Sequence, residues 1–132
     1  MIADSSAWIE LLRASGSRED LRLQQALRDG ELILLPEVVY REVLQGAASV
    51  LHFLELRALL DDMQHYVSAD PLQLARDAAL LYARCRWHGV TLRSANDCLV
   101  AACAIEADVV LLARDRDFGH IARFEPNLKL IA

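Results

Sequence analysis

The feature that most constrains the fold lies near the C-terminal end, where residues Val109 to Phe118 read Val-Val-Leu-Leu-Ala-Arg-Asp-Arg-Asp-Phe. The five apolar residues that open this stretch are too few for an independent helix and fit a strand buried on both faces. The run stops on Asp115 and Asp117, two carboxylates two residues apart. The N-terminus repeats the arrangement, because Met1-Ile2-Ala3 reads as a short apolar strand ending on Asp4. In open α/β sheets, ligands bind beyond the carboxyl ends of the strands. Two strand ends delivering acids to one rim therefore predict a site for a hard divalent cation, which prefers oxygen ligands.

Helices and strands alternate between these two segments. Ser5 or Ser6 is placed to cap a helix from about Ala7 to Arg13, with Trp8, Leu11 and Leu12 on one face. Ser15-Gly16-Ser17 breaks it, and a second amphipathic helix is expected over Arg18 to Arg28, ending at Asp29-Gly30. A strand over Glu31 to Leu35 follows, then Pro36 in the first turn of a helix that ends near Gly46. On that helix Glu42 lies one turn after Val38, on the inward side. The helix expected over Ser49 to Leu60 is apolar on much of its circumference, which predicts either burial between neighbours or an oligomer or partner surface. His65-Tyr66-Val67 reads as a brief strand, and Asp70-Pro71 opens a helix to about Trp87 that Gly89 closes. Ser94 begins the next helix, Asp97 to Glu106, whose Leu99 to Ile105 run is almost wholly apolar and so deeply buried. A short helix from about Asp117 to Ala122 and a last strand at Leu128 to Ile131 complete the order. Such alternation predicts an α/β domain, one unit over residues 1–132, with a parallel sheet covered on both faces and no internal repeat.

Composition removes several function classes. A net charge of −5 argues against a generic basic nucleic-acid binder. Lys129 is the only Lys among 14 basic residues, and the Arg that make up the rest favour bidentate contacts to carboxylates and phosphates. No apolar run approaches the roughly 20 residues that span a bilayer, and no basic region followed by a long apolar stretch marks a secretory signal. Cys85, Cys98 and Cys103 lack CxxC spacing and are expected as buried free thiols in a reducing cytoplasm. His52, His65, His88 and His120 show no paired zinc spacing, and no Gly-x-Gly-x-x-Gly or P-loop is present. Asp117-Phe118-Gly119 spells a kinase tripeptide without the Gly-rich and catalytic-loop signatures that would precede it.

Four acids share an oddity: Asp4, Glu42, Asp97 and Asp115 each adjoin hydrophobic sequence that should carry them towards the core. Ionised carboxylates are almost never buried without a partner. Each acid has a structural explanation when taken singly. Ser94-Ala95-Asn96-Asp97 has capping-box spacing, Glu42 has Arg41 and Arg57 as possible partners, and Asp115 precedes a helix that it could cap. Taken together, with two of them at strand ends, they predict one shared site.

The ordered set of segments resembles the PIN-domain nucleases, specifically the VapC toxins of bacterial type II toxin–antitoxin pairs. The matching pieces are Met1-Ile2-Ala3-Asp4-Ser5-Ser6-Ala7-Trp8-Ile9, Tyr40-Arg41-Glu42-Val43-Leu44, Arg93-Ser94-Ala95-Asn96-Asp97-Cys98-Leu99-Val100-Ala101-Ala102 and Leu111-Leu112-Ala113-Arg114-Asp115-Arg116-Asp117-Phe118. The resemblance implies a three-layer α/β/α fold around a central, mostly parallel sheet of about four or five strands. It also implies an acidic pocket that binds Mg²⁺ or Mn²⁺ for endoribonuclease action on structured RNA, such as transfer or ribosomal RNA, by an activated water. Asp4, Glu42, Asp97 and Asp115 match the family's four catalytic, metal-binding acids, and Asp117 matches a less uniform fifth. Ala113 stands where the family commonly has Thr or Ser, so a hydroxyl that would orient a carboxylate or water is missing; Ser5 and Ser6 remain as donors near Asp4. Arg93, Arg114 and Arg116 flank the acids as candidate grips on RNA phosphates, and Trp8 is either a core residue or a platform for an unpaired base. The implied partners are an RNA substrate, a small VapB-like antitoxin that lays an apolar segment along the helices, and a second copy in a homodimer, with no membrane involved.

Two other functions compete. An aspartyl-phosphate transfer domain would need a Lys near the acids, whereas Lys129 falls in the last expected strand. A degenerate domain that binds RNA or protein without cleaving is the second, and the retention of all four acids argues against it.

Overall fold

The computed structural model describes residues 1–131. Its sheet contains β1 (Ile2–Ala3), β2 (Leu34–Pro36), β3 (Gln64–Tyr66) and β4 (Leu111–Leu112), all parallel, in the spatial order β3-β2-β1-β4. Ile2 pairs with Leu34 on one side and Leu111 on the other, so the first strand is central. From β1 the chain builds outward through β2 and β3, then returns to lay β4 against the opposite edge of β1. That reversal opens a crevice beyond the carboxyl ends of β1 and β4, where open α/β sheets bind their ligands.

Parallel neighbours require crossover connections, and helices supply them. They are α1 (Ser5–Leu12), α2 (Arg18–Arg28), α3 (Glu37–Gln45), α4 (Val50–Asp61), α5 (Pro71–Trp87), α6 (Ala95–Glu106) and α7 (Asp117–Phe124). α1 packs on α2 and α3, α6 packs on α5 and α7, and α3 reaches α6. The core is built on Ile2, Trp8, Leu23, Leu35, Leu60, Leu111, Phe118 and Ile121, all fully buried. α6 buries Cys98 and every residue from Val100 to Ala104, as its apolar run predicts. Gly89 closes α5 at φ +82°, where its N–H reaches Arg86 O and Val90 N–H reaches Cys85 O, a left-handed stop that favours glycine.

Two expectations need correction. β2 begins later than Glu31 and ends on Pro36, which pairs with Tyr66 and forms the N-cap of α3 rather than lying inside its first turn. The expected last strand reduces to one parallel bridge, Leu111 to Leu130, because β4 ends at Leu112 and leads into the acid-bearing loop. Of the two readings open for α4, the structure buries only Leu56 and Leu60 and leaves Val50 and Leu51 78% and 67% exposed, so most of its apolar circumference is surface. The three cysteines are free and buried, and burial pushes the Cys98 and Cys103 thiols up to about 12, which keeps them neutral. Among the described residues, no helix is long and apolar enough to cross a membrane.

Candidate active site

Pairing between β1 and β4 brings the first and last acids side by side. Asp4 N–H donates to Leu112 O at 2.8 Å, so the chain leaves both strands at the same level. Asp4 is itself the N-cap of α1, in place of the expected Ser5 or Ser6: its Oδ2 accepts from Ser6 N–H at 3.0 Å and from the Ser6 hydroxyl at 2.6 Å. A carboxylate suits this position because the helix N-terminus offers unpaired N–H groups and a positive dipole end. Ser6 Oγ in turn accepts Arg114 N–H at 3.0 Å, tying the start of α1 to the loop after β4. The other Asp4 oxygen, Oδ1, is buried without a partner.

α3 contributes Glu42, and the first turn of α6 contributes Asp97. Arg57 forms its ion pair with Asp61 at 3.4 Å, and Glu42 Oε1 is left buried without a partner. The capping-box explanation for Asp97 also fails. Ser94 Oγ accepts from Asn96 N–H at 3.2 Å, and Asp97 Oδ2 lies buried with no partner. Asp20 shows what a purely structural buried acid looks like in this molecule. Its Oδ2 accepts Gly16 N–H at 2.9 Å and its Oδ1 accepts Gln24 Nε2 at 2.8 Å, so neither oxygen is orphaned.

Asp115 and Asp117 complete the rim. Asp97, Asp115 and Asp117 each present a carboxylate oxygen within 4.8 Å of the other two. Asp115 Oδ1 accepts Asp117 N–H at 3.0 Å, so it does bond the first turn of α7 while also standing in the cluster. Asp117 is almost fully buried and accepts Arg93 N–H at 3.0 Å through Oδ2, across 24 residues of sequence. Its sequence signals were the two-residue spacing from Asp115 and its match to the less uniform fifth acid of the PIN-domain pattern.

The three flanking arginines differ. Arg93 reaches into the cluster, with Nη2 at 2.6 Å from Asp115 Oδ1 and Nε at 3.4 Å from Asp117 Oδ2. Arg114 is held by Glu10 and Glu19, at 3.6 and 3.3 Å, two partners with no sequence signal. Arg116 is exposed at the start of α7. Trp8 is fully buried and therefore a core residue, not a stacking platform.

Crowding of like charges shows in the acidities. Burial, and then the neighbouring Asp4, Asp115, Asp117 and Glu42, push the Asp97 carboxyl from 3.8 to about 7. Burial likewise raises Asp4 above the usual carboxylate range, partly offset by the Ser6 hydrogen bonds. Glu42 is raised by burial and then by Asp4, and eased first by the charge of Arg41 and then by the Ser5 and Asn96 side chains. Buried carboxylate oxygens with no donor are rare and costly. Three of them come from three elements, Asp4 Oδ1, Glu42 Oε1 and Asp97 Oδ2. Of these acids Asp97 alone joins Asp115 and Asp117 in the group whose oxygens lie close enough together to share one hard divalent cation, while Asp4 and Glu42 stand outside it and raise the Asp97 carboxyl by their charge.

The PIN domain family model matches residues 1–124. Over 124 residues the chain is 35% identical to ribonuclease VapC11 of Mycobacterium tuberculosis and equally to a VapC ribonuclease of Mycobacterium bovis, covering 93% of this chain and 92% of each relative. Among solved structures it is similar to VapBC2 from Rickettsia felis bound to a promoter DNA fragment, with a TM-score of 0.75 and 16% identity over 98% of this chain and 96% of that one. FitAcB from Neisseria gonorrhoeae superposes with a TM-score of 0.61 and 17% identity, over 99% and 96% of the two chains. These distant structures share the fold, while the mycobacterial relatives share the sequence along nearly its whole length. The chain belongs to the PIN-domain family, in its VapC ribonuclease branch.

Proposed function

We propose that this chain is a divalent-ion-dependent endoribonuclease, the toxin of a VapBC-type pair, working as one domain over residues 1–132. The observation that carries the reading is the set of orphaned buried oxygens on Asp4, Glu42 and Asp97, beside the carboxylates of Asp115 and Asp117. Asp20 argues that such orphans are not simply how this fold tolerates buried acids. Mg²⁺ or Mn²⁺ supplies, when bound, the positive charge that activates water and stabilises a phosphate gaining negative charge. Asp4, Glu42, Asp97 and Asp115 hold the ion, with Asp117 as a further candidate ligand. Ser6 keeps the Asp4 carboxylate fixed by two hydrogen bonds, providing a hydroxyl that Ala113 lacks. Arg114 and Arg116, with Arg93, flank the rim where an RNA backbone would lie, and arginine suits bidentate phosphate contacts.

Structured RNA such as transfer or ribosomal RNA is the proposed substrate, and the proposed setting is the cytoplasm. The relatives solved with partners, and the exposed apolar face of α4, support a cognate antitoxin that covers apolar surface; a homodimer is the proposed state of the toxin. Lys129 pairs with Asp108 at 2.7 Å, which weighs against aspartyl-phosphate transfer at the acid cluster. The test is cleavage of a labelled transfer-RNA pool by the purified chain in Mn²⁺. Fragments should form, EDTA should stop them, and Asp4→Asn should abolish them. Cleavage that survives both EDTA and Asp4→Asn would contradict the proposal.

A further inference from the structure

Arg93 lies in the loop before α6, and three of its groups are committed to the acid cluster. Nη2 donates to Asp115 Oδ1 at 2.6 Å, Nε to Asp117 Oδ2 at 3.4 Å, and the backbone N–H to the same Asp117 oxygen at 3.0 Å. The guanidinium thus lies across two of the three carboxylates whose oxygens fall within 4.8 Å of one another. A short charge-assisted bond of this kind is among the strong ones, and it takes up the inward charge that a cation ligand must present. Asp4 Oδ1, Glu42 Oε1 and Asp97 Oδ2 have no such hydrogen-bond partner. The Arg93 guanidinium therefore serves Asp115 and Asp117 and leaves Asp97, the third member of the group, without it.

The Arg93 side chain is 62% exposed, so its head group enters from the outer wall and leaves without opening the core. Its backbone bond to Asp117 would hold the loop while the side chain swings. We infer that Arg93 is a resident counter-cation that competes with the divalent ion for Asp115 and Asp117 and is displaced as the ion binds. Arg93 thereby sets the metal affinity of this chain. The inference rests on the proposed reading of the pocket as a divalent-ion site. Before metal arrives, the guanidinium keeps two neighbouring carboxylates from repelling one another; afterwards, the ion takes over that role.

The test is titration calorimetry of Mn²⁺ into the metal-free chain, comparing wild type, Arg93→Gln and Arg22→Gln. Arg22 pairs with Glu31 at 3.0 Å on the exposed surface of α2, so its loss removes the same charge outside the cluster. Arg93→Gln should bind Mn²⁺ about tenfold more tightly or better, since a competing charged hydrogen bond is gone. Arg22→Gln should bind as wild type does. Equal affinity in wild type and Arg93→Gln would overturn this inference alone, whereas no Mn²⁺ binding by any of the three would overturn the metal-site reading with it. A second measurement needs no variant. In ¹⁵N-arginine spectra of the wild-type chain, Mg²⁺ should shift the Arg93 Nε–H signal and leave that of Arg22 in place. An Arg93 signal unmoved at Mg²⁺ saturation would overturn the inference.

Discussion

Asp4, Glu42 and Asp97 each leave a buried oxygen without a donor, while Asp20, as buried as Asp4 and Asp97, satisfies both of its own. That contrast separates acids held for structure from acids held for chemistry. Asp4→Asn and Asp115→Asn should each lower cleavage by at least about 100-fold while leaving RNA binding intact or slightly tighter, because each removes negative charge facing the phosphates. Filter binding beside the cleavage assay checks both halves, and parallel loss of binding and cleavage would contradict the assignment. The raised Asp97 carboxyl adds a pH signature. A group at about 7 in the folded chain and near 3.8 unfolded binds more protons when folded across that window. Its contribution is therefore stabilising at low pH and is lost as pH rises from about 4 to 7. The metal-free chain should lose melting temperature between about pH 4 and 7 and level off above that. Asp97→Asn should flatten that slope, and an unchanged slope would contradict the shared burial and repulsion. The candidate acids were legible in the sequence because each interrupts an apolar pattern. Asp117 was legible too, from its place two residues after Asp115; its bond to the Arg93 backbone was not, because only tertiary folding creates it.

At the scale of elements, α1 starts where β1 stops, and the joint between them is also part of the site. Ser6→Ala removes the hydroxyl that donates to Asp4 and accepts from Arg114 N–H. It should cost on the order of 1–2 kcal/mol, a fall of several degrees in melting temperature, and slow cleavage as the Asp4 carboxylate loosens. Stability and rate both unchanged would contradict that joint. α4 offers a different test, because its exposed apolar residues do little for the fold. A Val50→Glu, Leu54→Glu double variant should melt within about 0.5 kcal/mol of the parent yet fail to co-purify with a co-expressed antitoxin. Retained capture would move the docking surface elsewhere. Helices were readable to within a residue or two, since caps, Pro71 and Gly89 are local signals. The shift of β2 onto Pro36, and the reduction of the last strand to one bridge, follow from pairing partners far away in sequence. The exposed face of α4 was open on sequence alone, because an apolar helix reads the same whether a neighbour covers it or not.

Across the whole molecule, the acids come from four separate regions of the chain, and the strand order makes them neighbours. β1 lies between β2 and β4, so the ends of β1 and β4 and the helices α3 and α6 converge on one crevice. A net charge of −5 concentrated in part at that crevice makes the metal-free state the strained one. Cation binding should therefore be visible as stability of the entire fold. The most direct measurement is the melting temperature of metal-free wild type and Asp97→Asn, each with and without Mn²⁺. Ligand at about 100 times its Kd adds roughly 2.7 kcal/mol, on the order of 10 °C for a chain of this size. The account predicts a shift of that order in wild type and a much smaller one in Asp97→Asn. Equal shifts in the two proteins, or no shift in either, would contradict a shared divalent-ion site at these acids.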